Sequence, residues 1–219
     1  MVIAKSTDKI STRLNINGAI LERKEEICHL GVWLTENLCW EKHISEICKR
    51  AYPRVRMLSK LKYVGVPIED LLELYSLHIR SLTEYCSTAF HSSLSLRLSN
   101  KLEAIQKTCL RVILDVMYID YTSALEMCSL KTLHDRREDR SLSFAIKSSC
   151  HRTNKSMFPL NPIQNTHSVR SHERFLVNKA RTECYRKSTI PYLQRRLNEY
   201  TEKLLEMRRR AQRRTAGRL

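Results

Sequence analysis

The stretch WEKHISEICKRAYPRVRMLSKL, residues 40–61, decides how this chain is expected to fold. Its apolar side chains recur every three or four positions, which predicts an α-helix with one buried face. Pro53 lies inside this pattern, so we expect it to kink or split the helix. The opposite face of the predicted helix is basic and carries Lys42, Lys49, Arg50, Arg54, Arg56, Lys60 and Lys62.

The same periodicity predicts further helices downstream. Residues 67–90 are apolar nearly all round, which is typical of a central helix. A third helix is expected to begin at Ser99 or Asn100, because either side chain can cap its first turn. A fourth is expected from Thr132 to Cys150, starting with a cluster of charged residues.

Upstream of residue 40 the apolar residues alternate, which predicts strands. Asn17-Gly18 favours the tight turn of a hairpin. The segment Leu30-Gly31-Val32 is predicted to belong to a further strand. Glycine inside a strand marks a bend or the close approach of another backbone, so we expect one of these at Gly31.

The last segment is predicted to be a long basic helix. Residues 170–219 hold 15 Lys and Arg against 5 Asp and Glu, so +10 of the net charge of +16 lies at this end. Residues 151–187, before the helix, are poor in apolar residues and contain turn formers, which predicts a linker of low order. The apolar residues of the helix alternate steps of three and four, as in a heptad seam. The seam residues are Ile190, Leu193, Leu197, Tyr200, Leu204, Met207 and Ala211.

The predicted fold is therefore mainly α, with a small N-terminal β-hairpin element, a helical bundle and a long basic C-terminal helix. We place the hairpin element in residues 1–37, the bundle in 38–150, the linker in 151–187 and the basic amphipathic helix in 188–219. The low content of glycine and proline, 4 and 5 residues, argues against a turn-rich β-sandwich or barrel.

The composition also bears on partners and compartment. A net charge of +16 favours a partner with a phosphate backbone, because binding releases that backbone's counterions. The eight cysteines are scattered singly, which is typical of reduced core residues in an intracellular protein of the nucleus or cytoplasm. No apolar run approaches the roughly 18 residues of a membrane span, so we expect no membrane partner.

The sequence lacks the patterns of the common catalytic sites. Its six aspartates are not clustered as carboxylates must be to hold two metal ions in a polymerase. It has no phosphate-binding loop, no serine nucleophile elbow and no zinc-protease motif. His134-Asp135 is interpreted as part of a helix N-terminus. We therefore expect no catalytic residue, no metal and no cofactor.

Several short motifs follow one another between residues 30 and 140. They are Leu30-Gly31-Val32, Trp40 to Ile44, Tyr75 to Tyr85 through Ile79-Arg80-Ser81, LEAIQK at 102–107, Tyr121 to Leu125, and Leu130 to Leu133 with Arg136-Arg137. In this order and spacing they resemble the segment after the catalytic palm in reverse transcriptases of non-LTR (LINE/jockey-like) retrotransposons. The chain departs from the family pattern at His29, Thr35 and Phe90, where an aromatic residue, aspartate and tryptophan are usual.

The resemblance implies a truncated RNA-directed DNA polymerase that is not catalytic alone. Residues 1–37 would be a remnant of the palm and primer-grip region, and residues 38–150 would be a thumb-like bundle. The segment at residues 30–32 would support the primer terminus, and the basic helix face would follow the backbone of RNA or an RNA/DNA hybrid. The residues expected to bind nucleic acid are Leu30, Gly31, Val32, Lys42, Lys49, Arg50, Arg54, Arg56, Lys60, Arg208, Arg209, Arg210, Arg213 and Arg214.

Other interpretations of the same residues stay open. The terminal arginines fit RNA or DNA binding, a nuclear address or a solvated helix end. Arg136 and Arg137 are expected to pair with neighbouring acidic residues inside the bundle. The seam at residues 190–211 also fits a protein-interaction module that forms a homodimer through the C-terminal helix. Finally, the chain fits a relic open reading frame without a function.

Overall fold

The computed structural model describes residues 15–20, 22, 24–161 and 174–216, with side chains as far as residue 208. Most of these residues are helical, and the predicted fold class, mainly α with a small N-terminal β element, is confirmed. The strands are β1 (Asn15–Ile16), β2 (Ala19–Ile20), β3 (Glu26–His29) and β4 (Val32–Thr35). The α-helices are α1 (Glu41–Tyr63), α2 (Ile68–Leu74), α3 (Ser81–Glu84), α4 (Ser87–Phe90), α5 (Leu96–Leu114), α6 (Tyr121–Met127), α7 (Leu133–Cys150), α8 (Glu183–Arg186) and α9 (Thr189–Ala216).

The contacts divide the chain into two units. Among the described residues, the first unit takes those of Met1–Cys86 and Leu94–Leu133. The second unit takes those of Ser87–Ser93 and His134–Leu219. Most of α7 therefore groups with the C-terminal helix.

The first unit begins with two short antiparallel hairpins. Strands β1 and β2 pair through the predicted turn at Asn17-Gly18. Strands β3 and β4 pair with His29 opposite Val32, so Leu30 and Gly31 form a two-residue turn. The expectation that Leu30 and Gly31 lie within a strand was therefore wrong. Alternating hydrophobicity cannot reveal such a turn, which here depends on positive φ angles of 48° and 81° at these two residues.

Helix α1 packs against α5 in the core of the first unit. The apolar stripe predicted for α1 is buried at Ile44, Ile47, Ala51, Val55 and Leu58. Pro53 lies on the exposed side and does not split the helix, because the residues packed before and after it hold one continuous α1.

Helix α5 begins earlier than expected. Its N-cap is Ser95, whose Oγ accepts a hydrogen bond from the backbone N–H of Leu98 at 3.3 Å. Ser99, one of the two predicted caps, is instead buried inside the helix. Both serines can serve as caps locally, and the packing of Leu98 decides between them.

The predicted central helix at residues 67–90 is interrupted. Helix α2 continues through a π-helical segment, Tyr75–Arg80, into α3. The chain then leaves the helix at Tyr85, and Cys86 has a positive φ of 55°. Helix α4 follows this break. Helical periodicity persists on both sides, so the sequence pattern did not reveal the break.

The second unit has a core of its own, built from α7, α9 and the chain between them. Its buried residues are Ala145, Phe158, Phe175, Leu193 and Leu197. Phe158 and Phe175 belong to the predicted linker, and the bridge between Leu160 and Phe175 pairs its two described ends. Residues 162–173 of that linker lie outside the described residues.

Two further expectations concern the chain as a whole. All eight cysteines are unpaired, but only Cys109 is buried and five are exposed, so most are not the core residues we expected. Within the described residues, every helix is too short or too polar to cross a membrane.

Candidate nucleic-acid interface

The turn between β3 and β4 is exposed and held from one side. Leu30 is 78% exposed at its tip. The hydroxyl of Tyr85 donates a hydrogen bond to the carbonyl oxygen of Leu30 at 2.8 Å. The Nδ1 atom of His43 accepts a bond from the backbone N–H of Trp33 at 3.4 Å. These two contacts tie the hairpin to helix α1 and to the end of α3.

Gly31 lies close to Tyr85 as well. A Cβ atom placed on Gly31 would come within 3.7 Å of the Tyr85 ring, which is ordinary van der Waals contact. The sequence predicted a bend or the close approach of another backbone at this glycine; the structure has a chain reversal there, with an aromatic side chain rather than a backbone as the neighbour. The positive φ angle, rather than a lack of space, is what favours glycine.

A small pocket of about 20 Å³, enough for roughly one water molecule, lies between this turn and α1. Its lining residues are Gly31, His43, Glu46, Ile47, Arg50, Leu82 and Tyr85. Burial lowers the pKa of His43, and the nearby charge of Arg50 lowers it further. The pocket therefore places a histidine with a lowered pKa and an exposed arginine next to the turn.

Three of the predicted basic residues are engaged within the first unit. Lys42 forms an ion pair with Glu26 at 3.2 Å, and its ammonium lies 5.1 Å from the centre of the Trp33 ring. Lys49 pairs with Glu46 at 2.8 Å. Arg54 donates a hydrogen bond to the backbone carbonyl of His78. These contacts compete with phosphate for the same cations.

Arg50, Arg56 and Lys60 are different. They are exposed on α1 and form no ion pair or side-chain hydrogen bond with the residues that the structure describes. Because no ion pair or side-chain hydrogen bond has to be broken first, these three cations can bind phosphate at little cost in free energy. Val32, the third residue of the segment expected to support a primer terminus, is buried in β4, so its side chain serves the core.

The predicted C-terminal arginines belong to the other unit. Arg208 is exposed near the end of the described side chains. Arg209, Arg210, Arg213 and Arg214 lie beyond them, so only their helical backbone is described.

Four of the sequence motifs meet in a polar network of the first unit. Tyr75 donates to Gln106 Oε1 at 2.5 Å, and Gln106 Nε2 donates to Tyr121 Oη at 2.8 Å and to the Lys131 carbonyl at 3.1 Å. Glu103 accepts bonds from the Tyr121 hydroxyl and, at 3.1 Å, from the N–H of Leu133. These motif residues connect α5 to the segments around it and have a structural role.

A second polar cluster lies in the second unit, and the sequence patterns did not indicate that His91, Tyr192 and Arg196 belong to it. His91 Nδ1 accepts a bond from Arg137 Nε at 3.4 Å, so its proton resides on Nε2, which lies 3.3 Å from Glu138 Oε1. Burial alone would raise the pKa of Glu138, but hydrogen bonds from Tyr192 and His91 and the charge of Arg196 lower it. Arg137, expected to pair with acidic neighbours, is fully buried beside this histidine.

Together with His134, this cluster has the residue types of a cation site. His91, His134 and Glu138 bring ligand atoms within 4.8 Å of one another. However, Nε2 of His91 carries a proton, and Arg196 already pairs with Glu138 at 2.7 Å. Arg137 and Arg196 also place positive charge beside the group. These contacts favour a hydrogen-bonded cluster over a divalent-ion site.

Comparison with known proteins finds no matching family model, no similar curated protein and no similar solved structure. The resemblance to retrotransposon reverse transcriptases therefore rests on the order and spacing of the sequence motifs.

Proposed function

We propose that this chain corresponds to the region after the palm of a non-LTR retrotransposon reverse transcriptase. In this proposal it does not polymerise alone but binds the backbone of RNA or an RNA/DNA hybrid without sequence preference. The observation that carries the proposal is that Gly31, in the exposed turn, lines the same small pocket as Arg50, a cation without an ion pair among the described residues.

Two further exposed cations lie on α1, about a quarter to a third of a turn around the helix from Arg50. Arg50 and Lys60 are ten residues apart, so they are separated by roughly 15 Å along the helix. Arg56 lies between them, and all three are exposed. Cations spread over this length can contact several phosphates of one strand, because phosphates recur every ~3.4 Å along a helix axis. Such contacts position a nucleic acid and do not read its sequence.

A labelled RNA/DNA hybrid in a fluorescence anisotropy titration tests this proposal. The logarithm of the association constant should fall linearly with the logarithm of the salt concentration, because each neutralised phosphate releases counterions. The triple variant Arg50→Gln, Arg56→Gln and Lys60→Gln should bind more weakly and reduce the magnitude of the slope by about 2–3.

The matched control removes the same charge from the other unit. Lys147, Lys155 and Lys179 are exposed there, and their replacement by glutamine should change the slope much less. Absence of binding at low salt, a flat salt dependence or equal effects of the two triple variants would contradict the proposal.

Dimerisation through the seam of α9 has less support as a main function. Leu193 and Leu197 are two of its central residues, and both are buried in the core of their own unit. A seam that is used within one chain has fewer apolar side chains left for a second copy.

A further inference from the structure

We propose that the distal part of α9, residues 200–208, docks an acidic amphipathic helix of another protein. This inference goes beyond nucleic-acid binding and concerns the second unit alone. It rests on the apolar side chains that this part of the helix leaves uncovered and on the charges that flank them.

The seam of α9 continues after the core of its unit has ended. Leu193 and Leu197 are buried in that core. Farther along, Tyr200 and Leu204 are half-buried, and Met207 is 57% exposed. The distal part of α9 therefore presents an apolar strip along the same helix face.

Basic residues flank this strip on both sides. At about 100° per residue, Lys203 and Arg208 project on either side of the line through Leu204 and Met207. Neither cation forms an ion pair with the described residues. The acidic residues Glu199, Glu202 and Glu206 lie toward the opposite face, where Glu199 pairs with Arg196 at 2.6 Å.

These flanking charges disfavour a second copy of the chain as the occupant. In a parallel pair of helices, Lys203 of one copy would face Arg208 of the other, since these are interacting flank positions of successive heptads. In an antiparallel pair, Lys203 would face a residue of its own heptad position in the other copy, and these residues are Arg196, Lys203 and Arg210 in the different registers. Both arrangements place like charges together, whereas a helix with glutamate or aspartate at its flanks would form ion pairs.

The apolar strip also favours a protein over a nucleic acid. A phosphate backbone can pair with Lys203 and Arg208 but leaves Leu204 and Met207 without an apolar partner. An amphipathic helix covers such side chains with its own apolar face, which is the usual recognition mode for a surface of this kind.

Two designed peptides of 28 residues serve as probes for the full chain. Both carry leucine at the seam positions; one has glutamate and the other lysine at the flanking positions. Repulsion between like charges keeps each peptide from pairing with itself. In isothermal titration calorimetry, we expect the glutamate peptide to bind at least about tenfold more tightly, a difference of ~1.4 kcal/mol.

Variants on the exposed surface localise the contact. Lys203→Glu with Arg208→Glu should reverse the preference in favour of the lysine peptide, and Met207→Ser should weaken binding of the glutamate peptide several-fold. The matched control, Lys147→Glu with Lys155→Glu, carries the same change in net charge and should leave the preference intact. All these positions are exposed, so the variants should fold.

Three results would overturn this inference. One is that neither peptide binds, or that both bind equally. Another is that the chain binds an RNA oligonucleotide but not the glutamate peptide, and that the Lys203→Glu, Arg208→Glu variant loses the RNA binding. This result would assign the surface to nucleic acid. The third is sedimentation of the chain as a dimer that Met207→Asp dissociates. None of these results depends on the hybrid-binding test of the first unit.

Discussion

The hydroxyl of Tyr85 donates a hydrogen bond to the carbonyl oxygen of Leu30 at 2.8 Å, across 55 residues of sequence. This bond joins the end of α3 to the tip of the second hairpin. Gly31, in that turn, lines the same small pocket as Arg50 and Tyr85. The position of the proposed nucleic-acid contact thus depends on a residue that carries no charge.

Removing this hydrogen bond should loosen the position of the hairpin turn without changing the number of cations that contact phosphate. We expect Tyr85→Phe to lower the free energy of unfolding by about 0.5–1 kcal/mol, because water can replace the lost donor at this exposed site. Affinity for the hybrid should fall severalfold with an unchanged salt slope, measured by anisotropy. Tyr63→Phe is the control, since Tyr63 is 93% exposed. A reduced slope would contradict a purely positioning role.

Replacing the glycine of the turn should destabilise the protein, because its backbone angle is unfavourable for other residues. Gly31 has a φ of 81°, so Gly31→Ala should cost about 1–2 kcal/mol in the free energy of unfolding, and Gly31→Asn less. Chemical denaturation measures both. Gly18→Ala in the first hairpin meets the same strain at a φ of 85° and has no neighbour within 4 Å. Only the change at Gly31 should also lower affinity for the hybrid.

Leu30 occupies a turn position whose positive φ angle favours asparagine. Its φ of 48° is costly for a leucine, and Asn-Gly is the favoured pair for a two-residue hairpin turn. We expect Leu30→Asn to raise the free energy of unfolding by up to ~1 kcal/mol. If the exposed leucine contacts nucleic acid, the same variant should bind the hybrid more weakly. A variant that is more stable and binds equally well would remove Leu30 from the interface.

The buried network around Gln106 should be costly to break. Gln106→Leu leaves the buried Tyr75 hydroxyl without its acceptor, and an unsatisfied buried polar group costs about 1–3 kcal/mol. We therefore expect a clear decrease in the midpoint of urea unfolding. Ala104→Ser, on the exposed side of α5, is the control and should have little effect. An unchanged midpoint for Gln106→Leu would contradict the structural role of the motif.

Acid should destabilise the second unit through His91. Burial lowers the pKa of His91 from its usual 6.5, although the hydrogen bond to Glu138 opposes this effect. As the pH falls below 6.5, the unfolded chain takes up a proton that folded His91 does not, so the free energy of unfolding decreases. The decrease should end once the pH is below the pKa of His91 in the folded protein.

Unfolding curves between pH 7.5 and about 5 measure this effect. His91→Gln should reduce the pH dependence, and His151→Gln, at an exposed site, should not. Some dependence should remain because burial also lowers the pKa of His43. The lowered pKa of Glu138 acts below its usual value of 4.5, outside this range. An identical pH dependence in His91→Gln would show that His91 does not cause it.

The helices were predictable because their signals are local. The apolar stripe of α1 needs only the spacing of residues such as Ile44 and Ile47, and α7 begins within one residue of the predicted Thr132. Local signals were insufficient where two residues, or two kinds of local structure, fit the same sequence pattern. Ser95 and Ser99 can both cap a helix, and the alternation around Leu30 is compatible with a strand or a turn.

The sequence by itself determined helices α1, α7 and α9, the hairpin at Asn17-Gly18 and the apolar faces of α1 and α9, since each depends on residues within a few turns of one another. Only the tertiary structure decided which cations are already paired and what holds the hairpin tip. It also decided that Phe158 and Phe175 join the core of the second unit. These outcomes depend on contacts between distant residues, such as Tyr192 and Glu138, 54 positions apart. The spacing of residues along the chain does not predict such contacts, because they form only when the packed elements meet.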